Sequence, residues 1–282
     1  MAVFPVVKGT VLRATKVNNC GLPVAGPANR VVTPGWVSLT ISPEFQEAEE
    51  LEQRNAEGRV CVQDRTPPER KYYNLELTLC QVNTCLISLF NSWVQELDWE
   101  GNAVGFRDQR EVEADFGVAL ELWAGGRAGT DCPLPEDDSI FASAGTGRNY
   151  GYVLTFGTEF VLGDIEIAAS VATFVLTGIS FPAPQWGRGL YNVVAIDSSN
   201  TPGRLLTPLG QDQQLVIQRT PVPPPDPTPG EECCPVDIAG VFTAPNYYFG
   251  GPAGEPAADI APDQPACEGE GEGEGEGEGE GE

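Results

Sequence analysis

The chain has 282 residues, no histidine, and 41 Asp and Glu against 16 Lys and Arg, for a formal net charge of −25. The missing imidazole excludes Ser-His-Asp and Cys-His nucleophile pairs and removes the commonest metal ligand and general base. The acidic balance excludes embracing nucleic acid, which needs cations to displace phosphate counterions, although an acidic surface can lie beside DNA without sticking to it.

The charge is uneven. From Pro221 onward there are 15 acids and no bases, so residues 1–220 keep 26 acids against 16 bases, net −10. The opening "MAVFPVVKGT" lacks the basic start and long apolar run of a secretory signal. The most apolar stretch, residues 167–176, is half the length that a bilayer-spanning helix requires. A soluble protein made in a cytoplasm is expected.

The first clear strand is "WVSLTI", where Val37, Leu39 and Ile41 alternate with Trp36, Ser38 and Thr40. Residues 42–71 follow as a charged connection far longer than the short links usual in compact domains. Within it "EAEELEQR", residues 47–54, is rich in helix formers and predicts a second, short helix. Its polarity leaves that helix nothing of its own domain to pack on. In "YNLELTL", Tyr73, Leu75, Leu77 and Leu79 predict one buried face. "NTCLISLFNSW" offers Asn83 or Thr84 as an N-cap, and Leu86, Ile87, Leu89, Phe90 and Trp93 then fall at helical spacing. "FGVALELW" alternates Phe116, Val118, Leu120 and Leu122 against Gly117, Ala119 and Glu121. Further strands are predicted over residues 152–162, 171–181, 190–196 and 215–220. So many strands with so few helices argue for antiparallel sheets rather than βαβ units.

After Thr220 the character changes. "PVPPPDPTPG" is a stiff linker. Residues 233–254 hold a few apolar side chains, enough for one strand or a docking segment. Residues 267–282 are alternating Gly and Glu after Cys267, which cannot bury a core and predict disorder. The organisation expected is therefore a β domain over 1–220, a linker and extension over 221–266, and an acidic tail over 267–282.

Chemistry-bearing groups are sparse. Eight cysteines stand at 20, 61, 80, 85, 132, 233, 234 and 267. Reduced, mostly buried thiols are expected. A four-cysteine metal site from Cys20, Cys61, Cys80 and Cys85 lacks the paired C-x-x-C knuckles. Disulfides become an option if the mature protein leaves the cell. The acidic pairs Asp137–Asp138 and Asp164–Glu166 would need to face one pocket to act as a hydrolase. On apparent loops and outer strand positions they read as solvated carboxylates, and "EDDS" lacks the alternating acids of an EF-hand. "GTGRNYG", residues 145–151, is glycine-rich but has no P-loop Lys-Ser/Thr. Trp99, Tyr247, Tyr248 and Phe249 are candidate interface anchors.

Several pieces, in order, carry a resemblance: "RATKVNNCGLPVAGPANRVVTPGWVSLTISPE", "EELEQRNAEGRVCVQDRTPPERKYYNLELTLCQVN", "TCLISLF", "GNAVGFRD", "FGVALELWAG", "YGYVLTF", "FVLTGISF" and "QWGRGLYNV". Together they span residues 13–193 and resemble the major tail (tail tube) proteins of long-tailed phages infecting actinobacteria. The resemblance implies an antiparallel β-sandwich or barrel-like tail tube core with one flanking α-helix and a long inter-strand loop. It also implies hexameric rings, stacked into a hollow tube in the virion tail, through which genomic DNA passes without specific binding. The partners implied are further copies of the chain, a tape-measure protein, a tail terminator and distal tail or baseplate proteins, with assembly in the host cytoplasm, no membrane and no cofactor. Residues 43–70 are then expected to reach a neighbouring subunit or ring, with Glu44, Glu47, Glu50, Arg54, Arg59, Arg65 and Arg70 setting register. The inward face of a closed sheet ring would present alternate strand residues, which makes Glu76 and Glu121 the candidate lumen-facing acids. The acidic carboxy-terminal extension departs from the simplest family pattern and suggests an outer decoration. The competing expectation is another virion surface β-protein, a capsid decoration or adhesion module that binds glycan or a partner through exposed aromatics.

Overall fold

A computed structural model describes residues 8–47, 50–54, 56–81, 83–112, 114–128, 148–166, 173–197, 199–228, 233–239 and 260–267. Its strands are β1 (Gly9–Asn18), β2 (Gly26–Thr33), β3 (Trp36–Phe45), β4 (Glu50–Arg54), β5 (Val60–Arg65), β6 (Arg70–Leu79), β7 (Val94–Leu97), β8 (Ala103–Arg107), β9 (Phe116–Ala128), β10 (Arg148–Glu166), β11 (Thr173–Ser180), β12 (Val194–Ala195), β13 (Pro202–Gly203), β14 (Leu215–Thr220) and β15 (Cys234–Val236). One α-helix, α1 (Thr84–Asn91), lies among the described residues. The protein is mainly antiparallel β, as the alternating runs predict.

The main sheet runs β15-β2-β1-β9-β10-β11-β6-β3, and β14 also pairs with β10. Five strands therefore lie between β2 and β3. At the usual strand spacing a flat sheet would set the two roughly 29 Å apart. Yet only Pro34 and Gly35 separate β2 from β3 in sequence. So short a link reaches only about 10 Å even when fully extended. The sheet must therefore fold over on itself. Trp36 marks the meeting point, because its indole lies where a side chain on Gly9 of β1 would stand, 2.0 Å from an added Cβ. The ladder does not close: β3 pairs with β6 and not with β1.

The bend is taken by β10. Its first half pairs with β9 and β14, and its second half with β11. Between the halves the register slips around Glu159, a non-glycine residue at φ 55°. One extra residue in a strand exchanges its two faces. Tyr152, Leu154 and Phe156 thus point to one side of the sheet, and Phe160 to the other. Phe160 lies over Gly157 and Gly178, where an added Cβ would come within 2.4 and 2.7 Å of its ring. No larger residue fits beneath it.

Inside the fold, Leu12, Val118, Leu120, Leu75, Leu77 and Leu176 form the core with α1. Asn83 caps the helix, its side-chain oxygen accepting from the Leu86 N–H at 2.9 Å. Leu86, Ile87, Leu89 and Phe90 are buried, and Phe90 meets Phe160 edge-on at 4.5 Å. Outside the fold, residues 181–209 form a second layer. Trp186, Leu190, Tyr191 and Leu205 cover Trp123, Tyr152, Leu154 and Phe156.

Three expectations are corrected. Of the helix expected over 47–54, residues 50–54 instead form β4, because pairing with β5 overrides helix propensity. Residues 190–196 hold only the two-residue β12, their apolar side chains serving as anchors of the second layer. The seven described cysteines are neither mostly buried thiols nor a metal set. Cys85–Cys233 and Cys234–Cys267 are disulfides, and Cys20, Cys61 and Cys80 are free and exposed. The bridges span 148 and 33 residues. On chain-entropy grounds, loops of this length make each bridge worth about 3–5 kcal/mol. They tie the extension to the domain, and β15 joins the main sheet beside β2.

Burial of α1 makes a direct prediction. Leu86 is wholly buried in the seam between helix and sheet. Leu86→Ala should lower stability by about 2–5 kcal/mol through the lost burial and the cavity left behind. Urea unfolding followed by tryptophan fluorescence checks it.

Candidate assembly surfaces

The charged stretch from 43 to 70 is a projecting β-hairpin rather than a loop. β3 and β6 stay paired out to Phe45 and Arg70. The Gln46 N–H donates to the Glu69 carbonyl at 2.7 Å, and β4 and β5 carry the hairpin further. Glu44, Glu47, Glu50, Arg59, Arg65 and Arg70 are all exposed on it, and the backbone of Arg54 lies in β4. Arg65 approaches Glu50 across the strands at 3.5 Å, an exposed pair that contributes little by itself. Phe45, Leu51 and Val60 are exposed as well. A hairpin this bare buries almost nothing against its own domain.

The outer face of β3-β6-β11 is open and mixed, with Val175 and Ile179 of β11 among polar neighbours. Thr40, Glu76 and Thr177 stand in register across it, flanked by Ser42 and Asn74. Glu76 is exposed, as its outward position requires. Glu121 is the correction. Its side chain is 0% exposed and cannot line a water-filled space. The alternation in β9 places it outside the fold, but there the second layer covers it.

Glu121 belongs to a buried charge cluster. Arg13 of β1 grips it with two bonds, Nε to Oε2 and Nη2 to Oε1, both 2.6 Å. The Tyr152 hydroxyl donates to Oε1 at 2.6 Å. The Arg13 guanidinium lies 3.4 Å from the Tyr191 ring centroid and 4.9 Å from that of Trp123. Tyr191 and Thr15 share a hydroxyl bond at 3.0 Å. Burial works against the Arg13 charge, but Glu121 beside it raises its pKa overall. Such a cluster specifies how β1, β9, β10 and the second layer fit together, and breaking it strands a charge.

A second hairpin, β7–β8, also projects. Trp93 and Phe106 seat its base at 5.5 Å. At its tip the Asp98 carboxylate accepts from the N–H groups of Glu100 and Asn102, both at 2.9 Å. The bonds from Asn102 and Glu100 hold the Asp98 carboxyl below its ordinary value. Trp99, beside it, is 89% exposed. A third feature is the free edge of β14, where a groove of about 440 Å³ is lined by Val194, Leu205, Leu209, Leu215 and Ile217.

Among the described residues no three His, Cys, Asp or Glu side chains stand together as a metal site. Asp164 is exposed on β10, and the backbone of Glu166 ends that strand. Cys132, Asp137, Asp138, residues 145–147 of the glycine-rich run, Tyr247, Tyr248, Phe249 and the Gly-Glu repeat of 268–282 lie outside the described residues. No described helix is long and apolar enough to cross a membrane. Sequence reasoning found neither the disulfide pairings nor the role of Arg13. A lone arginine in the run "VLRATKV" was the one available signal for the latter.

The buried cluster predicts the alkaline limit of the fold. Tyr152 and Tyr191 are both held above the ordinary phenol value, by burial first, with Glu121 adding and Arg13 opposing. Their neutral forms stabilise the fold fully below the unfolded value, and this stability is lost as pH rises through the raised folded values. Tyrosinate absorbance should therefore show a late phase that coincides with loss of circular dichroism. Tyr152→Phe should shrink that phase. Glu121→Ala should cost about 3–5 kcal/mol in denaturant melts by leaving Arg13 buried without its partner.

No protein family profile matches the sequence, and no curated protein matches it significantly.

Proposed function

We propose that this chain is a structural virion protein, the tail tube subunit of a long-tailed phage. In this role it assembles into stacked, hexameric rings around a hollow path for DNA. The observation that supports it best is the bare hairpin arm of residues 46–69. A paired hairpin whose described residues are exposed suits a partner surface on the next subunit or ring. Its mixed charges would set register and specificity more than raw affinity.

Two further features are consistent with the role. The main sheet offers unpaired edges at β3 and along β14, which can continue into a neighbour's sheet, as head-to-tail ring contacts require. The outer face carrying Glu76 also carries Glu44, so as a lumen wall it would repel phosphate rather than bind it. Glu76 remains the candidate lumen acid. The tape-measure, terminator and distal tail proteins are the partners this role requires.

Negative-stain microscopy of the purified chain tests the role directly. Tubes or rings of uniform bore are expected. Replacing residues 47–68 with a short turn should leave the circular dichroism and melting of the domain intact while tubes disappear and sedimentation shows monomers. Discrete monomers or trimers of the unaltered chain would favour a virion surface module instead.

A further inference from the structure

We infer that the two disulfides form a redox-dependent clasp, which holds residues 233–239 and 260–267 against the outer edge of β2 when oxidised and releases that edge when reduced. This does not depend on the proposed role in a tail.

Among the described residues, everything that pairs with the β2 edge comes from beyond residue 220. Thr228 takes the two backbone groups of Val32: its N–H donates to the Val32 carbonyl at 2.8 Å, and its hydroxyl accepts the Val32 N–H at 2.9 Å. β15 then pairs at Arg30 and Gly26. Arg30 also donates to the Pro265 carbonyl at 2.6 Å. The remaining grip is small. Asn192 and Ala261 exchange two hydrogen bonds, and Asp237 and Gln264 exchange two more. Among the described residues of the extension, Val236 is the one buried side chain in the outer core, with Ile238 half-buried beside it. A three-residue strand with so few contacts does not hold an edge strongly.

The covalent bonds supply the missing hold. Cys233 is bridged to Cys85 on α1, the helix that fills the core, so one end of the clasp is pinned to the most buried element of the fold. Cys234, wholly buried in β15, is bridged to Cys267, so the far end returns to the same edge. Adjacent cysteines thus reach in two directions, one inward and one along the edge. Cys20, Cys61 and Cys80 are exposed and take no part.

The chemistry is two thiol–disulfide exchanges per bond with a small-molecule disulfide of the oxidised-glutathione class. One cysteine thiolate attacks the small disulfide, forming a mixed disulfide and releasing one small thiolate. The partner cysteine thiolate then attacks the protein sulfur of the mixed disulfide and expels the second small thiolate. Two cysteine thiols lose two protons and two electrons, and the small disulfide is reduced to two thiols. In a reducing cytoplasm the clasp stays open, and it closes in an oxidising medium.

Hydrogen exchange on the full chain, oxidised with glutathione disulfide or reduced with a phosphine, tests this. In reduced protein the amides of residues 26–33 should exchange about tenfold to a hundredfold faster, while those of β9 keep their rates. Cys234→Ser with Cys267→Ser should reproduce part of the effect without reductant. Mass mapping of the oxidised chain should find Cys85, Cys233, Cys234 and Cys267 protected from alkylation and Cys20, Cys61 and Cys80 modified. Equal exchange at β2 in both states, free thiols at the four clasp positions after oxidation, or acceleration of β9 together with β2 would each overturn the inference.

Discussion

The connection through Pro34 and Gly35 is the constraint on which the architecture depends. It ties together two strands with five others between them in the main sheet, so the sheet must curl until its ends meet. Curling divides the sheet's two faces into an inside and an outside with different chemical requirements. Inside there is room for one helix, and α1 fills it with Leu86, Ile87, Leu89 and Phe90. The bend falls on the longest strand, β10, and the register slip at Glu159 allows one strand to serve both halves. Its first half sends Tyr152, Leu154 and Phe156 outward to the second layer, and its second half sends Phe160 inward to the helix.

The outside is divided again. Over β1, β9 and the first half of β10 it is covered by residues 181–209, and over β3, β6 and β11 it is bare. Burial of the first half explains why its charged groups are paired, although the Trp123 indole N–H in the same layer has no hydrogen-bond partner among the described residues. Arg13 and Glu121 neutralise each other, Tyr152 and Tyr191 complete the cluster, and hydrocarbon surrounds it. An ion pair without that satisfaction would cost more than apolar packing in its place. Serine, threonine and asparagine on the bare half need no such compensation because water serves them.

Much of the sheet was legible in the sequence, since period-two alternation and a helix cap are local signals. β3, β6, β9, β10, β11, β14 and α1 all lie where those signals place them, with Asn83 as the cap. What was not legible depended on contacts distant in sequence. Glu121 reads as an outward residue in "FGVALELW", and it is outward, but alternation cannot say whether outward means water or a second layer. The arm carries charge on both faces, so it has no period-two signal, and "EAEELEQR" favours a helix until β5 is there to pair with it. Cys85 and Cys233 are 148 residues apart, and no spacing rule connects them. The exchange of faces at Glu159 is equally silent, because it is encoded by one extra residue and by Gly157 and Gly178 making room for Phe160.

The three edges of the sheet are treated differently, and that difference narrows what each can do. β2 is covered by the chain's own extension, held by covalent bonds. The outer edge of β3 has no partner strand among the described residues, but it is discriminating. Pro43 removes one N–H from its edge, its register slips after Trp36 and after Glu44, and its outer face is Ser38, Thr40 and Ser42 rather than a hydrophobic row. Such features suppress indiscriminate strand addition. Any strand that joins β3 must match an irregular register, and the β4–β5 arm extending from the same strand adds a charged surface beside it. β14 is a short edge with fewer such guards: it carries no proline, its ladder with β10 runs without a slip, and the groove beside it mixes Leu205, Leu209 and Leu215 with Thr207, Gln213 and Gln218. A strand added there would meet a regular register, whereas one added at β3 would not, so the two edges differ in how closely they select a partner strand.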